Sequence, residues 1–351
     1  MPRIEALNFV NVYQKDDTKN LVLLELARLD YNLVQSVYQI EVKELARWWS
    51  HFGLRKKLQF SRDRLRENYL WAMGMIFEPH FSKCRTGLIK FVCILTAIDD
   101  MYDIYGYLDE LELFTDAVNR WDIAALEELP EYMKLCYFAM YNFANELAYD
   151  VMKDEGFNIL LYLRGETNLC KSYLAEARWF CSGHTPTLEE YLGNAWISGG
   201  GPVVVLHSFV MSEHHVSHDS LDSLKHAHEL IYCSSLITRL SDDLGTSAAE
   251  SRRGDVTKSI QCYMTEKGAT EVEAGEHIKG LKSHSWKKLN EERSKCCLPK
   301  SLVNMTMNMA RTAQFLFQYG DGIGTSIGVT RDPLTLLVAE PISIQSNNHV
   351  I

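Results

Sequence analysis

The 351-residue sequence predicts an all-α fold, and three observations predict it. Apolar residues recur at three- and four-residue spacing along nearly the whole chain, the period of helices that each bury one face. No run alternates Val, Ile or Thr with polar residues for long enough to build a sheet. There are no repeats, and no composition shift or linker divides the chain, so the helices are expected to form a single domain over 1–351.

The elements follow in order. Residues 21–49 carry Val22, Leu26, Leu29, Leu33, Val37 and Ile40, an unbroken i+3/i+4 stripe. Trp48 and Trp49 read as packing residues near the end of that helix, and Gly53 as its stop. Residues 62–77 form a helix ended by Pro79, and 83–105 a helix stopped by Gly106. Helices over 113–126, 131–153 and 157–181 come next, with Pro130 near an N-terminus. Thr187 with Glu190 three residues on reads as a capped helix start. The apolar helical stretch 191–211 is interrupted by Ser198-Gly199-Gly200-Gly201-Pro202, which is either a plain loop or a kink that frees backbone carbonyls. Helices over 257–267, 272–289 and 301–317 close the fold before a Gly-rich turn at 319–324.

The chemistry concentrates in three places. Residues 88–98 are almost wholly apolar, and Asp99-Asp100-Met101-Tyr102-Asp103 follows them. Asp99 and Asp103 fall one helical turn apart on one face, with Asp100 on the flank. Carboxylates closing a buried helix repel one another unless a cation sits among them, and hard oxygens without His or Cys suit Mg²⁺ or Mn²⁺. A solvated acidic helix end is the plainer reading of that cluster alone. The second place is Asp242, Thr246 and Glu250, at i, i+4 and i+8 after the apolar run 230–237. Those three hard donors share one stripe, and a salt-bridged surface helix would carry Lys or Arg at i+4 rather than Thr. Arg239 lies one turn before Asp242, and Lys258 lies beyond Glu250. The third place is Arg62-Asp63-Arg64, 35 to 37 residues ahead of Asp99. It is either a charged helix start or a pair of guanidinium forks for a diphosphate.

Composition excludes several classes. A net charge of −10 argues against a nucleic-acid surface, and with 46% hydrophobic and 23% charged residues the chain is globular. Nine Cys without metal-like spacing predict a reducing compartment and no disulfides. The twelve His are scattered and lack the pattern of a zinc site. No stretch is read as long and apolar enough to span a membrane, and the first residues do not form a signal or transit peptide.

With those residues in view, the chain resembles the class I terpene synthases of plants. Arg62-Asp63-Arg64 is similar to the family's RxR motif, Asp99 to Asp103 to its DDxxD motif, and Asp242, Thr246 and Glu250 to its (N/D)DxxS/TxxxE motif. Flanking text agrees, including Glu67-Asn68-Tyr69-Leu70-Trp71, Tyr102-Asp103-Ile104-Tyr105-Gly106 and Arg253-Gly254-Asp255-Val256. The likeness runs from near Arg3 to near Ile342 and is greatest to the angiosperm monoterpene synthases.

The resemblance implies a class I terpenoid synthase helical barrel acting as the catalytic domain, with the family's N-terminal helical domain and transit peptide not in this text. It implies three Mg²⁺ ions, with Mn²⁺ as the substitute, held by Asp99 and Asp103 and by Asp242, Thr246 and Glu250. Arg62, Arg64, Arg239 and Lys258 would bind the diphosphate of an allylic substrate. Trp71 would wall the carbocation pocket, with Phe91, Val92, Ile197 and Phe315 as further lining. Ile323 stands where the family commonly has Tyr or His, which leaves Asp321 as the acid of that turn for proton handling. The implied reaction converts geranyl diphosphate to a monoterpene in a plastid. The alternatives are a sesquiterpene synthase using farnesyl diphosphate, a cytoplasmic location, and an inactive fragment. Monomer or weak homodimer is the expected assembly.

Overall fold

In a computed structural model of the chain, the described residues are 3, 5–163, 165–212, 216–253, 257–296, 298–318, 320, 338 and 341–343, with backbone alone at 248–253. Among them there are α-helices and short 3₁₀ and π turns but no strand. The expectation of an all-α fold holds.

The first pair is α1 (Ala6–Gln14) and α2 (Leu21–Phe52). Asn20 caps α2 by accepting from the N–H groups of Val22 at 3.0 Å and Leu23 at 3.2 Å, and Gly53 ends it as expected. The predicted buried stripe of α2 is corrected. Val22, Leu26, Leu29, Leu33 and Ile40 lie in solvent, while Tyr31, Val34, Tyr38, Leu45 and Trp49 are buried. The helix has two apolar faces, and the aromatic one, with Glu41 upon it, turns inward. Aromatic rings bury more area than Leu or Val, and Glu41 meets a buried arginine there. The outward stripe is an apolar patch of the kind that marks an interaction face. Substituting Val22, Leu26 and Leu33 together by Gln is expected to move the melting temperature by less than about 3 °C, since exposed positions contribute little. A drop in the thermal melt several times larger would put the stripe in the core.

The next helices carry the sequence's charged motifs. They are α3 (Leu54–Lys57), α4 (Leu65–Met75) and α5 (Ser82–Asp100). The predicted helix 62–77 begins only at Leu65, so Arg62 and Asp63 lie in the approach to it and Arg64 is its N-cap. After α5 the backbone widens into a π turn, Met101–Tyr105, closed by the Gly106 N–H donating to the Met101 carbonyl at 2.8 Å. The predicted helix 113–126 is instead α6 (Leu108–Arg120) and a 3₁₀ turn, Ile123–Glu128, parted by Trp121 in the left-handed region. Then come α7 (Glu131–Glu155), behind Pro130 as expected, the short α8 (Leu160–Leu163) and α9 (Gly165–Ser182).

The stretch expected to kink forms α10 (Leu188–Ser198) and α11 (Gly201–Ser212). Thr187 and Glu190 cap α10 reciprocally, at 3.2 and 2.8 Å. Gly200 takes φ +73, and a Cβ on Gly201 would lie 2.1 Å from the Ser235 hydroxyl. Glycine is required at both, the first for the turn and the second for contact with the neighbouring helix. Pro202 has no N–H, so the Ser198 carbonyl has no i+4 donor. By length and composition Leu188–Ser212 is a run that could cross a membrane, contrary to the expectation that none would. It is broken at Gly199 and Gly200 and lies mostly buried against other helices of the fold.

The remaining helices are α12 (His218–His226), α13 (His228–Arg253), α14 (Ser259–Lys267), α15 (Glu271–Lys295) and α16 (Lys300–Phe317). One large hydrophobic cluster runs from α2 to α16, and a smaller one joins α10, α13, α14 and α15. The eight described cysteines are free thiols. The Gly-rich turn at 319–324 lies outside the described residues apart from Gly320.

Candidate active site

Helices α4, α5, α9, α11, α13 and α16 surround a cavity of about 510 Å³. Its polarity follows from how α4 and α5 pair. Arg62 touches Asp99 and Asp100, while Asn68 touches Cys93 and Thr96. The two helices are therefore antiparallel, and the polar start of one meets the polar end of the other. Trp71 and Val92, about 10 Å deeper along each axis, line the apolar part with Leu95, Val204, Met309 and Phe317.

At the polar end the structure brings together Arg62, Arg64, Asp99, Asp103, Arg239, Asp242, Thr246 and Lys258. The Arg62 backbone N–H donates to Asp100 at 2.7 Å, its Nε to Asp100 at 2.5 Å and its terminal nitrogen to Asp99 at 3.0 Å. Asp100, read as a flanking residue, is the buried anchor of this arginine at 1% side-chain exposure, whereas Asp99 is 32% exposed toward the cavity. Burial alone would lower the Arg62 pKa, but Asp99 and Asp100 outweigh it and hold the guanidinium above its ordinary value. Burial pushes the Asp99 carboxyl up in spite of Arg62. Asp103 borders the cavity and is open to it; the surrounding protein displaces bulk water from its carboxyl, and this desolvation and the neighbouring Asp99 push its pKa up to about 7. Two carboxylates whose charge is disfavoured in this way fit a cation, which would relieve both burdens at once.

A second oxygen pair comes from α13. Thr246 donates its hydroxyl proton to the Asp242 carbonyl at 3.0 Å, which leaves the lone pairs of its oxygen for the cavity. The adjacent acids divide the work. Asp242 opens to the cavity, while Asp243, at 1% exposure, holds Arg239 at 3.2 Å and accepts from the Ser259 N–H and the Tyr191 hydroxyl. The Tyr191 oxygen in turn accepts from Arg239 Nε at 3.0 Å. The guanidinium is thus gripped from behind, with a terminal nitrogen 3.4 Å from Asp242. A Cβ on Gly245 would meet Phe317 at 2.9 Å, so glycine between Asp242 and Thr246 lets the end of α16 close against α13. Among the described residues no three His, Cys or carboxylate groups converge as a metal cage, so the oxygens form open pairs on two walls. The Glu250 side chain, Asp321 and Ile323 lie outside the described residues.

Three of the residues expected to line the cavity are corrected. Phe91 is fully buried behind the wall, stacked at 3.7 Å on His207, and neither Ile197 nor Phe315 faces the cavity. Phe317 faces it instead, edge-on to Trp71 at 6.4 Å. Sequence reasoning also missed Asn68, Tyr173, Glu176 and Thr238. Glu176 accepts from Ser198 and from Asn194 at 3.0 Å and lies 4.0 Å from the Lys258 ammonium, so it ties α9 to the α10–α11 break and to the start of α14. A single acid in an ordinary helix carries no local signal for that role.

Residues 50–288 match the model of the terpene synthase family, metal binding domain. A probable terpene synthase 9 from Ricinus communis is 66% identical over 97% of the chain and 59% of its own length. A trans-ocimene synthase, chloroplastic, from Litsea cubeba is 58% identical over 98% of the chain and 60% of its own length. Isoprene synthase from grey poplar leaves (Populus x canescens), solved in complex with three Mg²⁺ ions and dimethylallyl-S-thiolodiphosphate, superposes with a TM-score of 0.91 at 43% identity. That match covers 97% of this chain and 66% of the poplar chain. The chain spans about 60% of the length of the curated relatives it matches.

Proposed function

The chain belongs to the terpene synthase family, and on that premise we propose that it ionises geranyl diphosphate and turns the carbocation into a monoterpene with release of diphosphate. One observation carries the reading: a single cavity holds two pairs of hard oxygens and four cations at one end and an aromatic, aliphatic wall at the other. The ten-carbon product of the Litsea cubeba relative supports the chain length of the substrate. Asp99 and Asp103, and Asp242 with Thr246 and Glu250, would hold Mg²⁺, three ions in all with Mn²⁺ as substitute. The bound ions would supply neutralising charge for the leaving diphosphate.

The protein's own groups do the rest. Arg62, Arg64, Arg239 and Lys258 donate charge-assisted hydrogen bonds to the diphosphate oxygens, and those bonds strengthen as negative charge develops there. Fixing the Arg62 and Arg239 guanidinium groups on Asp100 and Asp243 lets them meet that charge without reorganising. Trp71 and Phe317 offer π-density to the cation, and the aliphatic wall keeps most water from it. Asp321 is proposed for proton handling. The location proposed is a plastid, from the chloroplastic relative.

The test is incubation with Mg²⁺ and either geranyl or farnesyl diphosphate, reading diphosphate release and volatile products. Release from neither substrate overturns the proposal and leaves the inactive-fragment reading. Release from farnesyl diphosphate alone replaces the monoterpene reading with the sesquiterpene one.

Two further outcomes are expected. Arg239→Lys should lower kcat/KM for the diphosphate substrate by about tenfold to a hundredfold, because an ammonium cannot hold Tyr191, Asp243 and phosphate oxygens at once. Unchanged kinetic constants would place Arg239 outside the site. The second outcome concerns pH. The raised Asp103 pKa means that the metal-free fold loses stability as pH rises through about 7. Below that pH a metal ion must first displace the proton. Added Mg²⁺ should therefore raise the melting temperature more at pH 8 than at pH 6, and equal shifts would refute the coupling.

A further inference from the structure

Asn68 sits midway along the α4 face that lines the cavity, one turn past Arg64 and one turn short of Trp71. Its orientation is fixed by donors and acceptors. The Thr96 hydroxyl donates its proton to the Val92 carbonyl at 2.9 Å, so its oxygen can only accept from Asn68. The amide nitrogen of Asn68 therefore faces Thr96 at 3.3 Å, with the Cys93 sulfur at 3.5 Å. Burial pushes the Cys93 thiol up to about 12, so the sulfur stays protonated and neutral. The amide carbonyl is turned the other way. Among the described residues no donor reaches it, and it is not sealed in the core, so it opens to the cavity. The other serine and threonine hydroxyls of the lining are committed: Ser198 donates to Glu176, Thr238 to the Ser234 carbonyl and Thr246 to the Asp242 carbonyl.

We propose that the Asn68 carbonyl holds the water molecule that captures the carbocation, and so sets the share of alcohol among the products. The inference rests on the carbocation reading above. A water that donates one O–H to this carbonyl presents its lone pairs to the space between Arg64 and Trp71. The cleaved allylic end lies there if diphosphate is at the arginines and the hydrocarbon is against the indole. Capture forms one C–O bond from a water lone pair and breaks no bond of the hydrocarbon. The proton released passes to an oxygen of the departed diphosphate, leaving a neutral alcohol. Without a held water the cation loses a proton instead and gives an olefin.

The experiment compares the unsubstituted chain, Asn68→Leu and Thr96→Val with geranyl diphosphate and Mg²⁺ in ¹⁸O-labelled water. Alcohol and olefin are measured per diphosphate released, with a thermal melt of each variant. Asn68→Leu is expected to lower the alcohol-to-olefin ratio about fivefold, the factor that one neutral hydrogen bond supplies, with ¹⁸O in the remaining alcohol. Thr96→Val frees the amide to turn and should lower the ratio less. If Asn68→Leu does not fold, Thr96→Val carries the test. Diphosphate release with an unchanged ratio, or an unsubstituted chain that makes no alcohol, overturns the Asn68 assignment. No diphosphate release from the unsubstituted chain instead overturns the reading on which it rests.

Discussion

Asp99→Asn and Asp103→Asn are each expected to lower kcat/KM for geranyl diphosphate by about a thousandfold, a loss of ~4 kcal/mol of transition-state stabilisation. Asparagine keeps the shape and removes the charge, so no core cavity opens and far-UV helicity should persist. The two variants differ in what else they disturb. Asp99 also accepts from Arg62 at 3.0 Å, so its loss loosens a diphosphate ligand, whereas Asp103 has no arginine within bonding distance among the described residues. Asp103→Asn is therefore the cleaner test of metal binding. The variant pair together should cost little more than either alone if both serve one leaving group. Near-normal turnover with Mg²⁺ in both single variants would end the metal reading of this motif.

The motifs were legible in the sequence because their chemistry is local. Five residues after an apolar helix, or three at i, i+4 and i+8, show an oxygen cluster without any knowledge of the fold, and the structure gathers those of them it describes around one cavity. What the motifs left ambiguous was which acid does what. Asp100 and Asp243 are buried against the arginines they hold, and only packing against Arg62, Tyr191 and Ser259 tells them from Asp99 and Asp242. The π turn at Met101–Tyr105 was equally hidden, since nothing in those side chains distinguishes an i+5 bond from an i+4 bond.

The misreadings share one physical origin. Periodicity reports that a helix has an apolar face but not which of two faces the rest of the chain covers, and on α2 the covered face is the aromatic one. Phe317, Asn68 and Glu176 reach the cavity from three helices distant in sequence, and a lone residue of each type reads as ordinary core. A single Gly or Pro predicted the stops at Gly53 and the break at Gly199–Gly200 well, because there the backbone itself is constrained. The start of α4 was misplaced for the opposite reason: Arg62 and Asp63 are held out of the helix by contacts with Asp100 and Trp49 that no local pattern encodes.

The largest stability effect is expected from Arg85, which no sequence motif marks. Its side chain is completely buried and makes two bonds to Glu41, at 2.5 and 2.9 Å. It also donates to the carbonyls of Ile76 and Glu78 at 2.7 and 3.0 Å, and its guanidinium lies 5.0 Å from the Tyr38 ring. Tyr69 donates to the same carboxylate at 2.9 Å. The cluster thus joins α2, α4 and α5, the helices that set Arg62 against Asp99. Arg85→Met leaves the Glu41 charge in the core with one tyrosine for company, and two backbone carbonyls lose their donor. A loss of about 4 kcal/mol is expected, which lowers the melting temperature by roughly 10 °C. Glu41→Leu alone should be destabilising for the same reason in reverse, with an unpaired guanidinium left behind. The two substitutions combined should recover much of the loss, because a buried ion pair stabilises little beyond what a well-packed apolar pair would, whereas half of one is strongly unfavourable. Thermal melts of the three variants decide it. A double variant less stable than either single one would show that the pair contributes net attraction, not only mutual neutralisation, and that this clamp holds the site's two helices together by charge.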